Sequence, residues 1–127
     1  MSIQIKSLPR KNPRDLEAPE KYYASVVHER FIGIDDLAAL ISEICTVSEP
    51  DCAAVLSSME KVMMLQLRTG RIVRFGKVGS FRIGISSEGK DTPEGVNAFS
   101  VKKSRLIFTP STRLRDFLRA LKFDKVG

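Results

Sequence analysis

Cysteine and histidine are the side chains that most often serve catalysis or metal binding, and both are rare in this 127-residue chain. Cys45 and Cys52 lie seven residues apart in apolar, helix-like sequence, which fits neither a zinc-ligand spacing nor a C-x-x-C redox pair. His28 stands without a catalytic partner, and the sequence contains no H-E-x-x-H, G-x-S-x-G or P-loop motif. We therefore predict two reduced cysteines that pack in the interior, no enzymatic activity, no metal and no cofactor.

Lysine and arginine are the other chemically capable side chains, and they are unevenly distributed. Residues 31–70 contain two basic and six acidic residues, whereas residues 71–127 contain thirteen basic and five acidic ones. The whole chain has a formal net charge of +6. A basic part joined to an acidic part indicates a polyanion-binding surface on one side of the molecule, although charge asymmetry also occurs on surfaces that are merely solvated.

Length and hydropathy predict a soluble cytoplasmic protein with one main domain. The chain is 43% hydrophobic, as is usual for a globular protein, and no apolar run approaches the roughly 18 residues that a bilayer span requires. The N-terminal sequence MSIQIKSLPRKNP has no hydrophobic secretory segment. We expect no membrane partner and no small-molecule substrate.

The elements that position these charges begin with an extension over residues 1–33. Residues 3–6 alternate apolar and polar side chains, and residues 22–27 are rich in aromatic and β-branched types, so both predict strands. The segment between them contains several prolines and predicts a long loop of a hairpin. Its basic residues either reach a partner or are simply solvated: Arg10, Lys11 and Arg14.

Two antiparallel helices are predicted next. The first is capped by Asp35 or Asp36 and ends near Thr46, with an apolar stripe at helical spacing. The second begins at the capping residue Ser48 and stops at Gly70. Its last turns are apolar on more than one face, because Met63, Met64, Leu65 and Leu67 crowd there. This surplus predicts that a second copy of the chain covers the helix in a dimer.

Three strands, at 71–76, 79–86 and roughly 98–108, precede a last helix that starts after Thr109-Pro110-Ser111. Side chains alternate between the two faces of a strand, so odd and even positions can be assigned to opposite faces. Within each strand the apolar residues share one parity: Val73 and Phe75 in the first, Phe81, Ile83 and Ile85 in the second, and Leu106 and Phe108 in the third. If these residues pack on the helices, four basic residues emerge together on the reverse face: Arg74, Arg82, Lys103 and Arg105. Such a face suits a phosphate backbone.

Two segments resemble the bacterial histone-like HU/IHF family. V-R-F-G-K-V-G-S-F at 73–81 resembles the G-x-G-x-F hairpin that follows two helices in that family, and F-T-P-S-T-R-L-R-D-F at 108–117 is similar to the stretch that opens its last helix. The resemblance covers about residues 34–122 in the order of elements of the family. The N-terminal extension also resembles that of variant HU-like proteins.

The resemblance implies an α+β, HU/IHF-like fold. It has a two-helix hairpin, a three-stranded antiparallel sheet with a β-arm and a C-terminal helix, over residues 34–127. It also implies a homodimer whose arms embrace double-stranded DNA, with Gly76, Gly79 and Phe81 in turn and core roles. The residues that it places at DNA are Arg74, Lys77, Arg82, Lys102, Lys103, Arg105, Arg113, Arg115 and Arg119.

The arm segment departs from the family pattern. The family places R-N-P-x-T-G at the arm tip, whereas S-S-E-G-K-D-T-P-E-G-V-N-A-F-S-V-K-K stands here, with Glu88, Asp91 and Glu94 where basic residues are expected. Pro93 is either the wedge that enters the groove or an ordinary turn residue.

We therefore predict a non-enzymatic, nucleoid-associated protein that binds double-stranded DNA with little sequence specificity. The alternative is a structural protein that uses the same scaffold for self-association or for an acidic protein partner. RNA binding stays open as a third possibility, although the phenylalanines fall on core parity and form no stacking platform.

Overall fold

The computed structural model describes residues 1–126 and contains both helices and strands. The chain forms two compact units, one made of Met1–Phe31 with the chain from Phe117 onward, and the other of Ile32–Asp116. We call them the N-terminal unit and the central unit. The mixed α+β class predicted from the sequence is confirmed, since the described chain has three α-helices and two three-stranded sheets.

The N-terminal unit contains a sheet with the strand order β2-β1-β6. Strands β1 (Ile3–Arg10) and β2 (Lys21–Val26) are antiparallel, and β6 (Phe123–Lys125) lies parallel to β1. The sequence predicts a domain boundary at residue 33, with all later residues in the HU-like domain. It did not predict β6, because three residues are too short a run to show an alternating pattern.

The central unit begins with two helices, α1 (Ile34–Ile44) and α2 (Glu49–Arg68). The predicted cap of α1 was wrong: Gly33 is the N-cap, and its N–H donates to Asp36 Oδ2 at 3.0 Å. The predicted cap of α2 is confirmed, since Ser48 Oγ accepts from the Asp51 N–H at 3.4 Å. Gly70 follows the helix with a φ of 84°, a left-handed conformation that glycine adopts without a steric penalty. No helix within residues 1–126, α2 included, has the length and apolarity needed to cross a bilayer.

A second antiparallel sheet follows in the order β3-β4-β5, formed by β3 (Val73–Phe75), β4 (Gly79–Ser87) and β5 (Val101–Pro110). The predicted last helix is α3, which spans Thr112–Arg119. The start of α3 is fixed to the β3–β4 turn, because Ser111 Oγ donates to the Lys77 carbonyl oxygen and the Ser111 N–H donates to the Val78 carbonyl oxygen at 2.9 Å.

The two cysteines differ in their surroundings. Cys52 is buried and Cys45 is exposed, and both are free thiols. Burial raises the pKa of the Cys52 thiol, and Cys45, Asp51 and Glu49 raise it further. The prediction of reduced packing cysteines therefore fits Cys52, whereas Cys45 does not pack in the interior of the single chain.

Gly79 is the glycine at which an added methyl group should cost most. A Cβ built there would lie 2.4 Å from the Thr109 carbonyl oxygen and 2.8 Å from the Phe108 ring, and the carbonyl belongs to a paired strand that cannot move aside easily. We expect Gly79→Ala to lower the free energy of unfolding by about 2 kcal/mol or more, measured by urea denaturation.

Gly89→Ala is the matched control, because no atom lies within 4 Å of a Cβ at that position. The control should change the free energy of unfolding by less than about 0.5 kcal/mol. Equal urea midpoints for the two variants would show that the close approach at Gly79 does not constrain the sheet.

Candidate nucleic-acid interface

The pairing register of the β3-β4-β5 sheet assigns its side chains to two faces of opposite character. Val73 pairs with Phe81, and Phe81 pairs with Phe108, so these three side chains share one face. The Phe81 and Phe108 rings are in contact, with centroids 4.9 Å apart. Ile83 pairs with Leu106 on the same side. We call this side the apolar face.

The opposite side carries the four basic residues that the sequence analysis singled out. Arg74 pairs with Ser80, Arg82 with Ile107, Arg105 with Gly84, and Lys103 with Ser86. The β4 member of each pair is an even-numbered residue, so these pairs lie on the side of the sheet opposite to Phe81. All four basic side chains are exposed. We call Arg74, Arg82, Lys103 and Arg105 the cationic face. The register therefore agrees with the prediction that these four residues lie on one side of the sheet.

The four charges of the cationic face have no carboxylate partners in the part of the chain that the structure describes. Among residues 1–126, none of the four lies within ion-pair distance of an aspartate or glutamate. Arg105 Nη1 donates to Ser86 Oγ at 3.3 Å, which ties one guanidinium to the neighbouring strand and leaves its other donors exposed. A set of cations without internal counterions attracts external anions.

Gly84, in the middle of β4, makes room for the Arg105 side chain. A Cβ at Gly84 would lie 3.3 Å from Arg105 Nε and 2.6 Å from Ile107 Cδ1. The arginine side chain thus lies close above the glycine. A glycine in the middle of a strand often marks a close approach by another group, and here that group is the arginine on the neighbouring strand.

The remaining basic residues of the prediction lie outside the four-residue cluster. Lys102 lies at the β-bulge where the register of β4 and β5 shifts, and Lys77 lies in the β3–β4 turn. Arg113 and Arg115 are exposed on α3. Arg119 is exposed as well, but it belongs to the N-terminal unit.

The β-arm expected from the family resemblance is not an extended ribbon in this structure. The strands β4 and β5 end at Ser87 and Val101, and two short 3-10 turns, Pro93–Gly95 and Ala98–Ser100, occupy the segment between them. The Glu88 N–H donates to the Ser100 carbonyl oxygen at 2.8 Å and closes the base of the loop. Beyond this bond the chain forms turns and no further strands, so the ladder of β4 and β5 does not continue as a paired arm.

The loop presents an aromatic side chain that the sequence analysis did not select. Phe99 is 93% exposed, and its N–H donates to Asn97 Oδ1 at 2.9 Å. The Asn97 N–H in turn donates to Ser100 Oγ at 3.1 Å, and Ser100 is buried. These bonds hold the backbone of Phe99, while its side chain faces solvent. The loop also contains the acidic residues Glu88, Asp91 and Glu94. One of them is paired, because Lys90 Nζ lies 3.3 Å from Glu88 Oε2.

A comparison with family models places this arrangement in a known group. A model described as an HU domain fused to wHTH, Ig or glycine-rich motifs matches residues 1–125. The chain belongs to this HU-HIG family. The match includes the N-terminal strands as well as the central unit, so the resemblance predicted from residues 34–122 is confirmed and extends over nearly the whole chain.

Solved structures with the same fold as this HU-HIG chain include two relevant neighbours. A candidate bacterial DNA-binding protein from Bacteroides vulgatus ATCC 8482 superposes with a TM-score of 0.67 at 14% identity, over 99% of this chain and 49% of that one. The chain thus spans about half the length of that protein. The HU protein of the Anabaena HU–DNA cocrystal structure superposes with a TM-score of 0.55 at 15% identity, over 70% of this chain and 99% of that one. A search of curated proteins found no match.

Proposed function

We propose that this chain is a non-enzymatic protein that binds double-stranded DNA through the cationic face, with little sequence specificity and an architectural role in the bacterial nucleoid. The observation that carries the proposal is the register that brings Arg74, Arg82, Lys103 and Arg105 to one side, where they are exposed and have no carboxylate partner among residues 1–126. Arginine donates in a planar fork that matches phosphate oxygens, and such contacts do not depend on base sequence. The HU–DNA neighbour and the HU-HIG membership support the same function.

The other predicted basic residues have supporting roles in this proposal. Lys77 in the β3–β4 turn and Lys102 at the β-bulge of β5 add phosphate contacts beside the cationic face, and Arg113, Arg115 and Arg119 contact further phosphates. The direct test is titration of a duplex of mixed sequence at several salt concentrations. We expect binding that weakens steeply with salt, because phosphate neutralisation releases counterions. Salt-independent binding, or a strong preference for one sequence, would contradict the proposed mode.

We further propose that the active form is a homodimer, because the described residues of the single chain bury almost no hydrophobic side chains. Within residues 1–126, the hydrophobic side chains that are buried are Ala38 and Cys52. The accessible surface is 11069 Å². Two separate compact bodies of this combined mass would expose only about 8000 Å². The accessible surface above that value is comparable to the area that is buried in an obligate dimer interface.

A second copy of the chain is the partner that we expect to cover this exposed apolar surface. Many of the exposed apolar residues lie on α1, α2 and the apolar face of the central unit, so much of its apolar surface is not covered in the single chain. A partner that is required for folding has to be present whenever the chain is made, and another copy of the chain meets that condition.

The groove-inserting wedge, if the protein bends DNA, lies in the loop between β4 and β5. Pro93 is the wedge implied by the family resemblance, whereas Phe99 is the apolar side chain that the loop exposes most. An apolar side chain that enters the minor groove partly unstacks a base step and kinks the duplex. We therefore expect Phe99→Ala to reduce bending, measured by energy transfer between the ends of a labelled duplex, more than Pro93→Ala does.

Val96→Ala is the matched control for the wedge experiment, because Val96 is also apolar and exposed in the same loop. Equal bending by all three variants and the unsubstituted protein would assign DNA binding to the cationic face alone. A larger loss of bending in Pro93→Ala than in Phe99→Ala would identify Pro93 as the wedge, as the family resemblance implies.

A second candidate function is a structural or interaction protein that uses the same scaffold. The acidic residues Glu88, Asp91 and Glu94 in the loop favour it, since carboxylates near a phosphate backbone repel DNA. A stable dimer that does not retard duplex DNA in a gel at moderate salt would support this function over DNA binding.

A further inference from the structure

The N-terminal unit contains a groove that the proposed function does not use. It has a volume of about 570 Å³ and lies at the end of the β1–β2 hairpin. Three cationic residues, Arg10, Lys11 and Lys21, line it together with Asn12 and Tyr23. Two prolines and an alanine of the connecting loop complete the lining, and within the described chain no carboxylate lines the groove.

The strand register brings two of these cations directly opposite each other. Arg10 pairs with Lys21, and Tyr23 lies on the same face two residues further along β2. The Arg10 guanidinium carbon lies 5.8 Å from the centroid of the Tyr23 ring. Like charges on directly opposed residues destabilise a hairpin. A bound anion between them would remove that cost.

The wall of the groove is held in shape by hydrogen bonds within the loop. Asn12 Oδ1 accepts from the Arg14 N–H at 2.9 Å, and the Asp15 N–H donates to the Asn12 carbonyl oxygen at 3.2 Å. The ion pair between Lys11 Nζ and Glu20 Oε1 is long, at 3.9 Å, and both side chains are largely exposed. Such a pair contributes little stability, so Lys11 is able to turn toward a ligand.

We propose that this groove binds the phosphate of a nucleotide unit, and that its natural source is a nucleic-acid strand. Arg10, Lys11 and Lys21 would hold the phosphate, and the Tyr23 ring would pack beside the base. The volume suits one nucleotide, since pockets for small ligands measure roughly 300–1000 Å³. The groove uses none of the residues of the cationic face, so it gives the protein a second, separate contact with nucleic acid.

The test is an NMR titration of the ¹⁵N-labelled full chain in which Arg74, Arg82, Lys103 and Arg105 are replaced by alanine. That background removes the cationic face, so failure of the proposed function and failure of the groove are separate results. The probes are a short single-stranded thymidine oligonucleotide, thymidine monophosphate and inorganic phosphate. We expect shifts of the Arg10, Lys21 and Tyr23 amide signals.

Variants of the groove sharpen the result. Arg10→Ala with Lys21→Ala should weaken oligonucleotide binding by about 100-fold, since each charged contact contributes about a factor of ten. Tyr23→Leu should weaken it about fivefold. Arg14→Ala is the matched control, because Arg14 belongs to the same loop but does not line the groove, and it should bind normally. The double alanine variant should also melt no earlier than its parent, because it relieves the opposed like charges.

Each outcome bears on the proposal. Shifts with the oligonucleotide that exceed those with the monophosphate identify a nucleic-acid strand as the ligand. Equal shifts with the monophosphate or inorganic phosphate keep the phosphate site and assign it to a free phosphorylated compound. No shift with any probe, or shifts that persist in the Arg10→Ala, Lys21→Ala variant, would overturn it.

Discussion

Replacement of Arg74, Arg82, Lys103 and Arg105 by glutamate should weaken duplex binding by about 10³-fold or more at low salt. The register places all four on one exposed face, so each substitution replaces a phosphate-facing cation with a repelling carboxylate. The four alanine substitutions should have a milder effect with a more specific signature. The slope of log affinity against log salt should decrease by about 0.9 for each lost phosphate contact, or about 7 for a dimer that uses both copies of the face. Fluorescence anisotropy with a labelled duplex measures both quantities.

The control for the glutamate variant must change the net charge equally at other positions. Arg14, Arg30, Lys61 and Lys125 are exposed and lie outside the cationic face, so their replacement by glutamate serves this purpose. We expect the control to lose much less affinity than the cationic-face variant. Equal losses would mean that overall charge, and not the arrangement of the sheet, determines binding.

Ile83→Asp combined with Leu106→Asp should prevent dimer formation. The two residues pair directly across β4 and β5 on the apolar face, and they are 45% and 57% exposed in the single chain. Burial of each side chain in a dimer contributes about 1.5–3 kcal/mol, and a buried unpaired carboxylate costs more than that. Because both copies carry each substitution, the dimerisation constant should fall by several orders of magnitude. Light scattering should then report a monomeric mass or an unfolded chain.

Val96→Asp provides the comparison, because Val96 is also 57% exposed but lies in the loop between β4 and β5. It should remain dimeric. Leu106→Ala keeps the experiment informative if the double aspartate variant fails to fold. Its thermal midpoint should fall and should depend more strongly on protein concentration than that of the unsubstituted protein. A midpoint that is independent of concentration in every variant would contradict the dimer.

The two experiments together separate the proposed function from its alternative. Loss of DNA binding in the glutamate variant, with the dimer intact, supports a cationic face that acts on phosphates. A dimer that never binds DNA would leave the scaffold as a self-association module, and the acidic residues of the loop would then face a protein partner.

The sequence by itself determined the parts of this protein that depend on local pattern. Strand parity predicted the shared side of Arg74, Arg82, Lys103 and Arg105, because alternation along each strand is a property of the extended backbone and the three strands form one sheet. The serine cap and the glycine stop of α2 followed from short-range hydrogen bonding and from the φ angle that glycine tolerates. The family assignment rested on such local signatures, in the right order.

Only the tertiary structure decided features that depend on residues distant in the chain. Strand β6 pairs with β1 across more than a hundred residues, and nothing in Phe123–Lys125 alone indicates that partner. The loop that replaces an arm is closed by a bond from Glu88 to Ser100, and its capped turn exposes Phe99. The groove at Arg10 and Lys21 likewise required the hairpin register, because residues eleven positions apart face each other only once the strands are paired. Pairing between distant segments follows from the packing of the whole chain, which a local pattern does not contain.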